Sequence, residues 1–510
     1  MWQLIHNGVI IPEKYKAKGF HILFKGRRID LTPKQEEMAV AWVRKLGTPY
    51  AKDRRFTRNF FKDFKKALGI KGRVSPEDFD FTVIEHYLEE EKENKANLSR
   101  EERKLRAKLR RVIREARKER YGYAVVDGKR VEISNYTVEP SSIFMGRGKH
   151  PLRGRWKEGP SQEDIILNLS PDAPRPAGNW KEIVWQPDSL WIAKWRDKLR
   201  GKMKHVWLSD TFRVKQLREI EKYNKARELE NYIEKVREHI KRNLHSEDLT
   251  RRKIATVCFL IDELKMRVGD EKDKDEADTV GATTLRPEHV KIGSDGFVIF
   301  NFLGKDSVKW KKKVKLPDIV INNLREFASE AKSPIFSGIE SKDVNSFLSE
   351  VMPGLTAKVF RTYHATRVVK AYLSKAKISR DDDLLKKHVA VMANLEAAKI
   401  CNHKRKIPKN WSKSLEKKKE RLKKYKNQKR ITKKTRERMR KLRLRIREQR
   451  ATRDFNLRTS LKSYIDPRVY YEWFLKVDFN WRKFYPKALQ RKFSWIEEET
   501  AERPGQKIVG

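Results

Sequence analysis

Hydrophobic and polar residues follow helical spacing in several stretches of the first 195 residues. One apolar stripe is formed by Phe56, Phe60, Phe61 and Phe64, and its spacing predicts an amphipathic helix. Two more helices are predicted by capping boxes, in which a hydroxyl residue is followed three positions later by Gln or Glu; these are Thr32 with Gln35 and Ser99 with Glu102. The helix after Ser99 is expected to run to about residue 121 and to carry a dense row of Lys and Arg.

Two segments change from helical spacing to the pattern of a β-hairpin. The first turn is Asp127-Gly128, a pair typical of tight hairpins, and the second contains Lys305. The predicted strands are 123–126 with 129–133, and 296–302 with 307–310. Residues 150–190 are rich in Pro, Gly and Trp, so irregular connections with short strands are expected there.

The chain from about residue 195 to 411 is predicted to be mainly helical. The expected helices cover 217–242, 249–267, 344–352, 360–375 and 385–400. The last segment, 454–510, again has the composition of a folded domain, with many aromatic residues. The pattern predicts a mixed α/β, multidomain protein in which an α+β N-terminal region precedes a mainly α region.

Residues 413–450 differ from the rest, because 20 Lys and Arg stand there against four Glu, a net charge of +16. Apolar residues keep a heptad-like spacing on both sides of Asn427-Gln428; they are Leu415, Leu422, Tyr425, Met439, Leu442 and Ile446. A helical hairpin with one narrow apolar seam fits this pattern. Disorder of the whole segment is the alternative that the sequence leaves open.

Composition limits the classes of function. The 510 residues include 120 Lys and Arg and 70 Asp and Glu, a formal net charge of +50, and such an excess indicates a polyanionic partner, by default nucleic acid. Hydrophobic residues make up 38%, which argues against a wholly disordered chain. No apolar run reaches the length of a membrane span, and the first residues lack the layout of a signal peptide. Two cysteines exclude a disulfide framework and favour a reducing compartment.

Five residues that could carry chemistry have ordinary interpretations when each is considered alone. These are a helix-capping arginine at Arg267, a solvated turn lysine at Lys305, a surface arginine at Arg361, a histidine at His403 and a packing tyrosine at Tyr464. Cys401-Asn402-His403 does not predict a zinc site, because no partner residues stand at ligand spacing. Asp466-Pro467 predicts the start of a helix just after Tyr464.

The segments that surround these five residues, taken in order, change that interpretation. They are Leu264-Lys-Met-Arg267-Val-Gly-Asp-Glu-Lys272, Phe302-Leu-Gly-Lys305-Asp-Ser307, Gly354-Leu-Thr-Ala-Lys-Val-Phe-Arg361-Thr-Tyr363, Ile400-Cys-Asn-His403 and Ser460-Leu-Lys-Ser-Tyr464-Ile-Asp-Pro-Arg468. Together they resemble the signature segments of the eukaryotic-type type IB DNA topoisomerases. Further matches at 58–63, 139–151, 163–166 and 490–495 extend the resemblance over nearly the whole chain.

The resemblance implies an architecture. It implies a bilobed clamp around duplex DNA, with an α+β cap and a mainly α catalytic domain of the tyrosine recombinase and topoisomerase IB type. The domains expected from it are an N-terminal DNA-binding cap region at 1–195, a catalytic core at 196–411, a basic helical-hairpin linker at 412–453 and a C-terminal domain with the nucleophilic tyrosine at 454–510.

The resemblance also implies a reaction, the transient cleavage of one DNA strand. Tyr464 would be the nucleophile that keeps a 3′-phosphotyrosine, and Lys305 would be the general acid for the departing 5′ oxygen. Arg267, Arg361 and His403 would stabilise the charge on the phosphate oxygens in the transition state. Because the phosphotyrosine conserves the energy of the phosphodiester bond, neither ATP nor a divalent metal is expected to be required. The sequence also has no Gly-x-x-x-x-Gly-Lys-Ser/Thr loop.

DNA contacts are implied at six further positions, which are Arg147, Lys149, His150, Asp306, Thr362 and Ser463. The expected partner is supercoiled duplex DNA, bound largely without sequence preference through its phosphates, by a monomer that does not associate with membranes. The absence of a long charged N-terminal extension and the short linker resemble a compact archaeal branch. Expected locations are the cytoplasm, on the nucleoid or chromosome, or the nucleus in a eukaryote. Met145 and Ser463 depart from the family pattern, in which Arg and Asn are common.

Two other functions stay open. A tyrosine recombinase uses the same Arg, Lys, His and Tyr constellation, although recombinases are usually shorter and lack such a linker. A non-catalytic basic protein that coats nucleic acid accounts for the net charge but not for the ordered segments. The topoisomerase hypothesis predicts that five side chains, distant in the chain, gather around a single phosphate.

Overall fold

The computed structural model describes residues 1–269, 278–330, 333–376, 378, 382–428 and 430–501, without the side chains of Asp306, Glu330, Thr500 and Ala501. The chain forms two compact units, of which one covers residues 1–213 and the other begins at Val214. Helices and small sheets occur in both units, which confirms the predicted mixed α/β class. Within the described ranges, no helix is both long enough and apolar enough to cross a membrane.

The first unit contains four helices and twelve short strands among its described residues. The helices are α1 (Pro33–Val43), α2 (Arg54–Ala67), α3 (Thr82–Ala96) and α4 (Arg100–Tyr121). The strands are β1 (Leu4–His6), β2 (His21–Phe24), β3 (Arg27–Asp30), β4 (Phe79–Asp80), β5 (Tyr123–Val126), β6 (Lys129–Glu132), β7 (Ser142–Ile143), β8 (Trp156–Lys157), β9 (Ile165–Asn168), β10 (Glu182–Val184), β11 (Trp191–Arg196) and β12 (Met203–Trp207). They form sheets in the orders β1-β5-β6, β3-β2-β4, β7-β8 and β10-β9-β11-β12.

Local sequence signals determine several of these elements, as predicted. The backbone N–H of Ser99 donates to the Glu102 carboxylate at 2.8 Å, and the backbone N–H of Glu102 donates to the Ser99 hydroxyl at 3.1 Å. This reciprocal pair satisfies two N–H groups at the start of α4. The β5–β6 turn has Asp127 at φ 47° and Gly128 at φ 75°, the left-handed values that a two-residue hairpin turn requires.

Two apolar cores stabilise the first unit. One is rich in aromatic residues and contains the α2 stripe, with Phe60 stacked on Trp42 at 4.8 Å between ring centroids and 11° between planes. The other lies against the four-stranded sheet and includes Leu167, Ile192 and Leu208, all essentially without exposed surface. The loop of residues 144–155 connects β7 to β8 and carries the predicted DNA-binding residues of this unit.

The second unit is mainly helical. Its helices are α5 (Arg213–Asn243), α6 (Leu249–Leu264), α7 (Asp318–Glu330), α8 (Ser341–Ser349), α9 (Ala357–Ser374), α10 (Asp383–Ile400), α11 (Trp411–Lys426), α12 (Lys433–Ala451), α13 (Leu457–Ser463), α14 (Pro467–Lys476), α15 (Lys487–Lys492) and α16 (Trp495–Ala501). An antiparallel sheet in the order β13-β14-β15 is formed by β13 (Val290–Ile292), β14 (Phe297–Gly304) and β15 (Val308–Lys315). The prediction of a lone hairpin was therefore wrong by one strand, and α7 was not predicted.

The helical-hairpin prediction for the basic segment is confirmed by α11 and α12. Their seam buries Leu415, Met439 and Leu442, three of the residues that keep the heptad-like spacing. The His388 imidazole on α10 lies 3.0 Å from the Glu448 carboxylate on α12, so the hairpin also contacts the rest of the unit. Because only one narrow stripe of each helix is buried, the other faces of α11 and α12 carry the charged residues.

Two apolar cores support the site of the second unit. One packs α6, α7, α8 and the three-stranded sheet around residues such as Leu260, Phe300 and Phe360. The other packs α9, α10 and the C-terminal helices around Tyr470 and Trp495. Helix α9 contributes to both cores. Arg361 lies on α9, so its backbone is held rigidly by the packing on both sides.

Candidate active site

All five residues singled out by the sequence line two adjoining cavities of the second unit. Arg267, Lys305 and Arg361 line both cavities. His403 completes the first, which has a volume of about 110 Å³, and Tyr464 completes the second, with about 360 Å³. The structure thus brings together side chains that lie almost 200 positions apart in the chain.

The Tyr464 ring lies close to three other members of this group. The guanidinium carbon of Arg361 is 5.1 Å from its centroid, and that of Arg267 is 5.8 Å away. The His403 ring centroid is also 5.1 Å away, with 38° between the ring planes. Only 7% of Tyr464 is exposed, so two cations and an imidazole face the phenol in a site from which most water is excluded.

Arg267 lies in a loop after α6, which corrects the prediction of a helix through residue 267. The helix ends at Leu264 because Lys265 adopts a left-handed conformation, with φ of 57°. The backbone carbonyls of Arg267 and Val268 then accept hydrogen bonds from the N–H groups of Ala282 and Thr283, each at 2.8 Å. Arg267 therefore lies in a loop that is hydrogen-bonded to a second loop, and residues 270–272 of its motif lie outside the described part.

Two glycines permit the close packing of this loop. A Cβ atom added to Gly281 would lie 2.4 Å from the Cα of Gly269, a distance that side chains do not tolerate. Gly269 also has φ of 92°, a backbone conformation that favours glycine. The close contact holds the Arg267 loop against residues 280–283, which in turn bond to β14 through the Val280 N–H and the Leu303 carbonyl at 2.8 Å.

Lys305 is carried by the turn between β14 and β15 and is exposed. The strands pair over their whole length, from Phe297 with Lys315 to Gly304 with Val308, so the turn has a rigid support. The Asn402 side-chain amide donates to the Lys309 carbonyl at 3.2 Å and thereby connects the hairpin to the turn that carries His403.

Arg361 is fixed by two backbone carbonyls from different segments. Its Nη1 donates to the Lys265 carbonyl at 2.6 Å, and its Nη2 donates to the Cys401 carbonyl at 2.8 Å. The same Nη2 is 3.4 Å from Nε2 of His403. Its Nε–H is buried and has no hydrogen-bond partner among the described residues. Since a buried donor without an acceptor is costly, this group is available for an anion that enters the cavity.

His403 is held in a neutral state. Burial is the largest cause, and the positive charges of Arg361 and Arg267 add to it, so the pKa of His403 falls to about 3. The guanidinium can only donate, so Nε2 accepts from it and the proton of the neutral ring is on Nδ1. That Nδ1 group is buried and, within the part of the chain that the structure describes, has no acceptor.

The pKa of the Arg267 guanidinium is also lowered, chiefly by burial and then by the nearby Arg361 charge, while a hydrogen bond with the Tyr464 phenol opposes the shift. Two like charges held together in a partly dry site repel each other. A ligand with negative charge between them would relieve this repulsion, so the site is prepared for an oxyanion.

The backbone around Tyr464 is attached to three other helices. The Thr366 hydroxyl of α9 donates to the Tyr464 carbonyl at 3.4 Å. The ammonium groups of Lys222 on α5 and Lys492 on α15 donate to the carbonyls of Ser463 and Lys462, each at 3.2 Å. These anchors hold the phenol in place from outside the cavity.

Asp466 completes this support and confirms the predicted start of a helix. Its carboxylate accepts from the backbone N–H of Arg468 at 3.0 Å and caps α14, with Pro467 at the first helical position. The same carboxylate accepts from the Arg227 guanidinium of α5 at 2.9 Å. Thr366, Lys222 and Arg227 were not predicted, because nothing in their spacing along the sequence indicates a contact with the tyrosine segment.

The other predicted DNA-binding residues divide between the units. Thr362 is buried on α9 next to Arg361, and Ser463 is half-buried next to Tyr464, while the side chain of Asp306 lies outside the described part. Arg147, Lys149 and His150 belong to the first unit, in the 144–155 loop. Arg147 and Lys149 are exposed there, whereas His150 is buried, and its Nδ1 accepts from the Leu152 N–H at 3.2 Å.

The chemistry available to this site is the stabilisation of an anion beside a phenol. Two guanidinium groups and one neutral imidazole supply hydrogen-bond donors, and an exposed ammonium stands at the rim. No cluster of three or more His, Cys, Asp or Glu with the arrangement of a metal site is found in the described ranges. The group instead has the charges and geometry that suit a phosphate.

Comparison with protein families identifies the segments of the chain. The model described as the DNA binding fragment of eukaryotic DNA topoisomerase I matches residues 1–208, and the model of its catalytic core matches residues 211–436. A third, described as the C-terminal topoisomerase domain, matches residues 436–503. The three matches follow one another in order over nearly the whole sequence.

Individual proteins give the same result. DNA topoisomerase 1 beta of Arabidopsis thaliana is 34% identical over 97% of this chain and 58% of the relative. DNA topoisomerase 1 of Drosophila melanogaster is 31% identical over 96% of this chain and 53% of the relative. DNA topoisomerase 1 of Homo sapiens is 30% identical over 97% of this chain and 70% of the relative. The chain thus spans little more than half of the first two proteins.

Proposed function

Because the chain belongs to the family of eukaryotic DNA topoisomerase I, we propose that it is a type IB DNA topoisomerase that relaxes positive and negative supercoils. It cleaves one strand of duplex DNA, allows the broken strand to rotate about the intact one, and rejoins it. The observation that carries the proposal is the position of the Tyr464 ring, 5.1 Å and 5.8 Å from two guanidinium carbons and 5.1 Å from the His403 ring.

In the proposed cleavage step, the phenolic oxygen of Tyr464 attacks the phosphorus of a backbone phosphodiester in line with the 5′ oxygen. The bond from phosphorus to that 5′ oxygen breaks as the new bond forms, and the 3′ end remains on the protein as a phosphotyrosine. Lys305 donates a proton to the departing 5′ oxygen, and the phenol proton passes to water. Rejoining is the same step in reverse.

Charge on the equatorial phosphate oxygens is the main electrostatic demand of this reaction. Arg267 meets it with a planar guanidinium fork, Arg361 meets it with the donors that its backbone contacts leave free, and His403 adds a neutral donor. Their mutual positions are fixed before DNA binds, so little reorganisation is required when the charge develops. The bond energy stays in the phosphotyrosine, so the proposed cycle consumes no ATP and assigns no step to a divalent metal.

The proposed partner is supercoiled duplex DNA, bound mainly through its phosphates and with little sequence preference. A net charge of +50 supports this, as does the exposed position of Arg147 and Lys149 in the first unit. We propose direct DNA contacts for these two residues and for His150, Thr362, Ser463 and Asp306. The α11–α12 hairpin would face the DNA that rotates downstream of the break.

The four-domain division at residues 195, 411 and 453 is retained as a proposal, with the first domain as the cap of a clamp closed around DNA. The acting species is proposed to be a monomer associated with chromosomal DNA. The narrower assignment to a compact archaeal branch stays a prediction that rests on the shortness of the basic linker.

A plasmid assay tests the proposed function. Negatively and positively supercoiled plasmids are incubated with the protein in EDTA and without ATP, alongside the Tyr464→Phe variant. The expected result is a stepwise ladder of relaxed topoisomers with the natural chain and none with the variant, although both bind DNA equally. Equal behaviour of the two proteins, or relaxation only after metal is added, would refute the proposal.

The same samples address the two alternatives. A tyrosine recombinase would cut only at defined sites and would give recombinant products from a plasmid that carries two of them. A non-catalytic DNA-coating protein would shift the plasmid in a gel without changing its linking number. Neither produces relaxation at many sites with loss of activity in Tyr464→Phe.

A further inference from the structure

A buried carboxylate near the end of α6, five residues before Arg267, is not part of the reaction proposed above. Asp262 is on α6, two residues before its last helical residue, and is 6% exposed. It accepts a hydrogen bond from Nε2 of His364 at 2.6 Å and another from Nε of Arg237 at 2.8 Å. These bonds hold the pKa of Asp262 at about 2 against the opposing effect of burial, so the carboxylate is ionised.

Asp262 and His364, which form the first of these hydrogen bonds, are both close in the chain to residues of the proposed catalytic site. His364 follows Arg361 by three positions, so both side chains emerge from neighbouring positions on one side of α9. Asp262 precedes by three positions the carbonyl of Lys265 that accepts from Arg361 at 2.6 Å. The end of α6 is therefore connected to α9 twice, once by Asp262 with His364 and once by the catalytic guanidinium itself.

The end of α6 also determines where Arg267 begins. Two carbonyls at this end have no partner within the helix and accept from cations instead. Lys312 of β15 donates to the Leu264 carbonyl at 3.2 Å, and Arg361 donates to the Lys265 carbonyl. Free carbonyls and the negative end of the helix dipole favour such positive groups. Without the contact between Asp262 and His364, Arg361 would have to hold the end of α6 in place and also bind the phosphate.

We propose that Asp262 and His364 are a positioning pair that holds the end of α6 against α9 and so fixes the spacing of Arg267 and Arg361 for one phosphate. The proposal rests on the proposed function. The pair does not touch the DNA or the reacting atoms. It leaves the guanidinium of Arg361 free to point its remaining donors into the cavity, and it sets the distance between two like charges that would otherwise move apart.

Single-turnover cleavage separates positioning from DNA binding. The substrate is a short duplex whose downstream fragment, which carries the newly formed 5′ hydroxyl, dissociates after cleavage, so the covalent protein–DNA complex accumulates in a single turnover. His364→Ala is expected to slow its formation about 10- to 100-fold, with the DNA dissociation constant unchanged within about twofold. His364→Gln places an amide N–H near the position of Nε2 and is expected to recover most of the rate. Asp262→Asn is expected to resemble His364→Ala where it folds.

The matched control is Glu234→Gln. Glu234 is the other carboxylate partner of Arg237, at 2.9 Å, and its side chain is 75% exposed, so the cleavage rate should be that of the natural chain. A combination with Arg267→Ala gives the sharpest readout. If the pair acts by positioning Arg267, adding His364→Ala to Arg267→Ala should reduce the rate by less than about twofold, whereas independent effects would multiply.

The outcomes distinguish this inference from the proposed function. Relaxation by the natural chain together with full cleavage by His364→Ala would overturn the positioning pair alone, and so would a loss that His364→Gln does not recover or that multiplies with Arg267→Ala. A fall in DNA affinity as large as the fall in rate would do the same. Failure of the natural chain to relax plasmid would instead refute the proposed function.

Discussion

The hydroxyl of Thr366 joins the helix of Arg361 to the backbone of Tyr464, two residues with proposed catalytic roles, because it accepts from the Asp466 N–H at 3.0 Å and donates to the Tyr464 carbonyl at 3.4 Å. Thr366 lies on α9, five residues after Arg361. Contacts of one helix therefore help to position both the guanidinium and the phenol, as the proposed in-line attack requires.

Replacement of Thr366 by Val tests this connection, because it keeps the shape of the side chain and removes only the hydroxyl. A buried N–H and a carbonyl would lose their partner, with an expected cost of about 1–3 kcal/mol in unfolding free energy. We also expect cleavage to slow about tenfold with unchanged DNA affinity. Ser at this position, which keeps the hydroxyl, is the control and should stay close to the natural rate. Equal rates for the Val and Ser variants would contradict the prediction.

Lys305 is the only exposed residue of the five, which suits its proposed role at the departing 5′ oxygen. Lys305→Ala is expected to slow cleavage about 10²- to 10⁴-fold, the usual contribution of general acid catalysis. A substrate with sulfur in place of the bridging 5′ oxygen has a leaving group that needs no proton, so the variant should cleave it at nearly the natural rate.

The matched control for this experiment is Lys309→Ala, an exposed lysine of β15 in the same hairpin, which should cleave both substrates normally. The comparison uses initial rates of covalent complex formation. If Lys305→Ala also forms the covalent complex slowly with the sulfur substrate, Lys305 does not act as the proton donor.

The neutral state of His403 leads to a pH prediction. With a folded-state pKa of about 3 against an ordinary value of 6.5, the ring should show no change in its NMR signals between about pH 5 and pH 8, where exposed histidines titrate. The unfolded chain binds this proton more readily, so the stability that His403 contributes is complete above pH 6.5 and decreases as the pH falls towards 3.

The magnitude can be measured by comparison with His403→Gln, which cannot titrate. Between pH 7 and pH 5 the natural chain should lose up to about 2 kcal/mol more unfolding free energy than the variant, because about 1.5 pH units below 6.5 correspond to that amount. Chemical unfolding at both pH values provides the test. A titration of the His403 ring near pH 6.5, or an equal loss of stability in both proteins, would contradict the prediction.

The parts of the fold that the sequence predicted correctly are those that local chemistry determines. The start of α4 follows from the capping box at Ser99, and the β5–β6 hairpin follows from Asp127-Gly128, because each signal and its hydrogen bonds lie within a few residues. The end of α6 was misplaced because it depends on distant residues: Lys312 and Arg361 satisfy the last carbonyls, and no pattern within the helix records them.

The site shows the same division. Resemblance identified the five residues, but no spacing in the sequence could place Tyr464 against Arg267, since the contact forms only when two cores are packed on either side of α9. The supporting contacts of Thr366 and Asp262 were missed for the same reason. Both are common residue types whose role appears only when their partners are known.

The final prediction concerns the charge of the α11–α12 hairpin. Its apolar seam is buried, while Lys417, Lys424, Arg443 and Arg447 are exposed. If these four contact phosphates, neutralising them to Gln should reduce the steepness of log K against log salt concentration by about 3–4, since each phosphate contact contributes about 0.9. The structure of the hairpin should persist, because the substitutions leave Leu415 and Leu442 in the seam.

Binding of a duplex of random sequence, measured by fluorescence anisotropy at several salt concentrations, provides the slope. Two exposed lysines outside the hairpin, Lys476 and Lys487, receive the same change to Gln as a control and should leave the slope as it is. Relaxation by the fourfold variant should continue, because the hairpin does not contribute to the cavity around Tyr464. An unchanged slope would mean that the positive charge of α11 and α12 does not contact DNA phosphates, and the proposed role of the hairpin in DNA rotation would then be wrong.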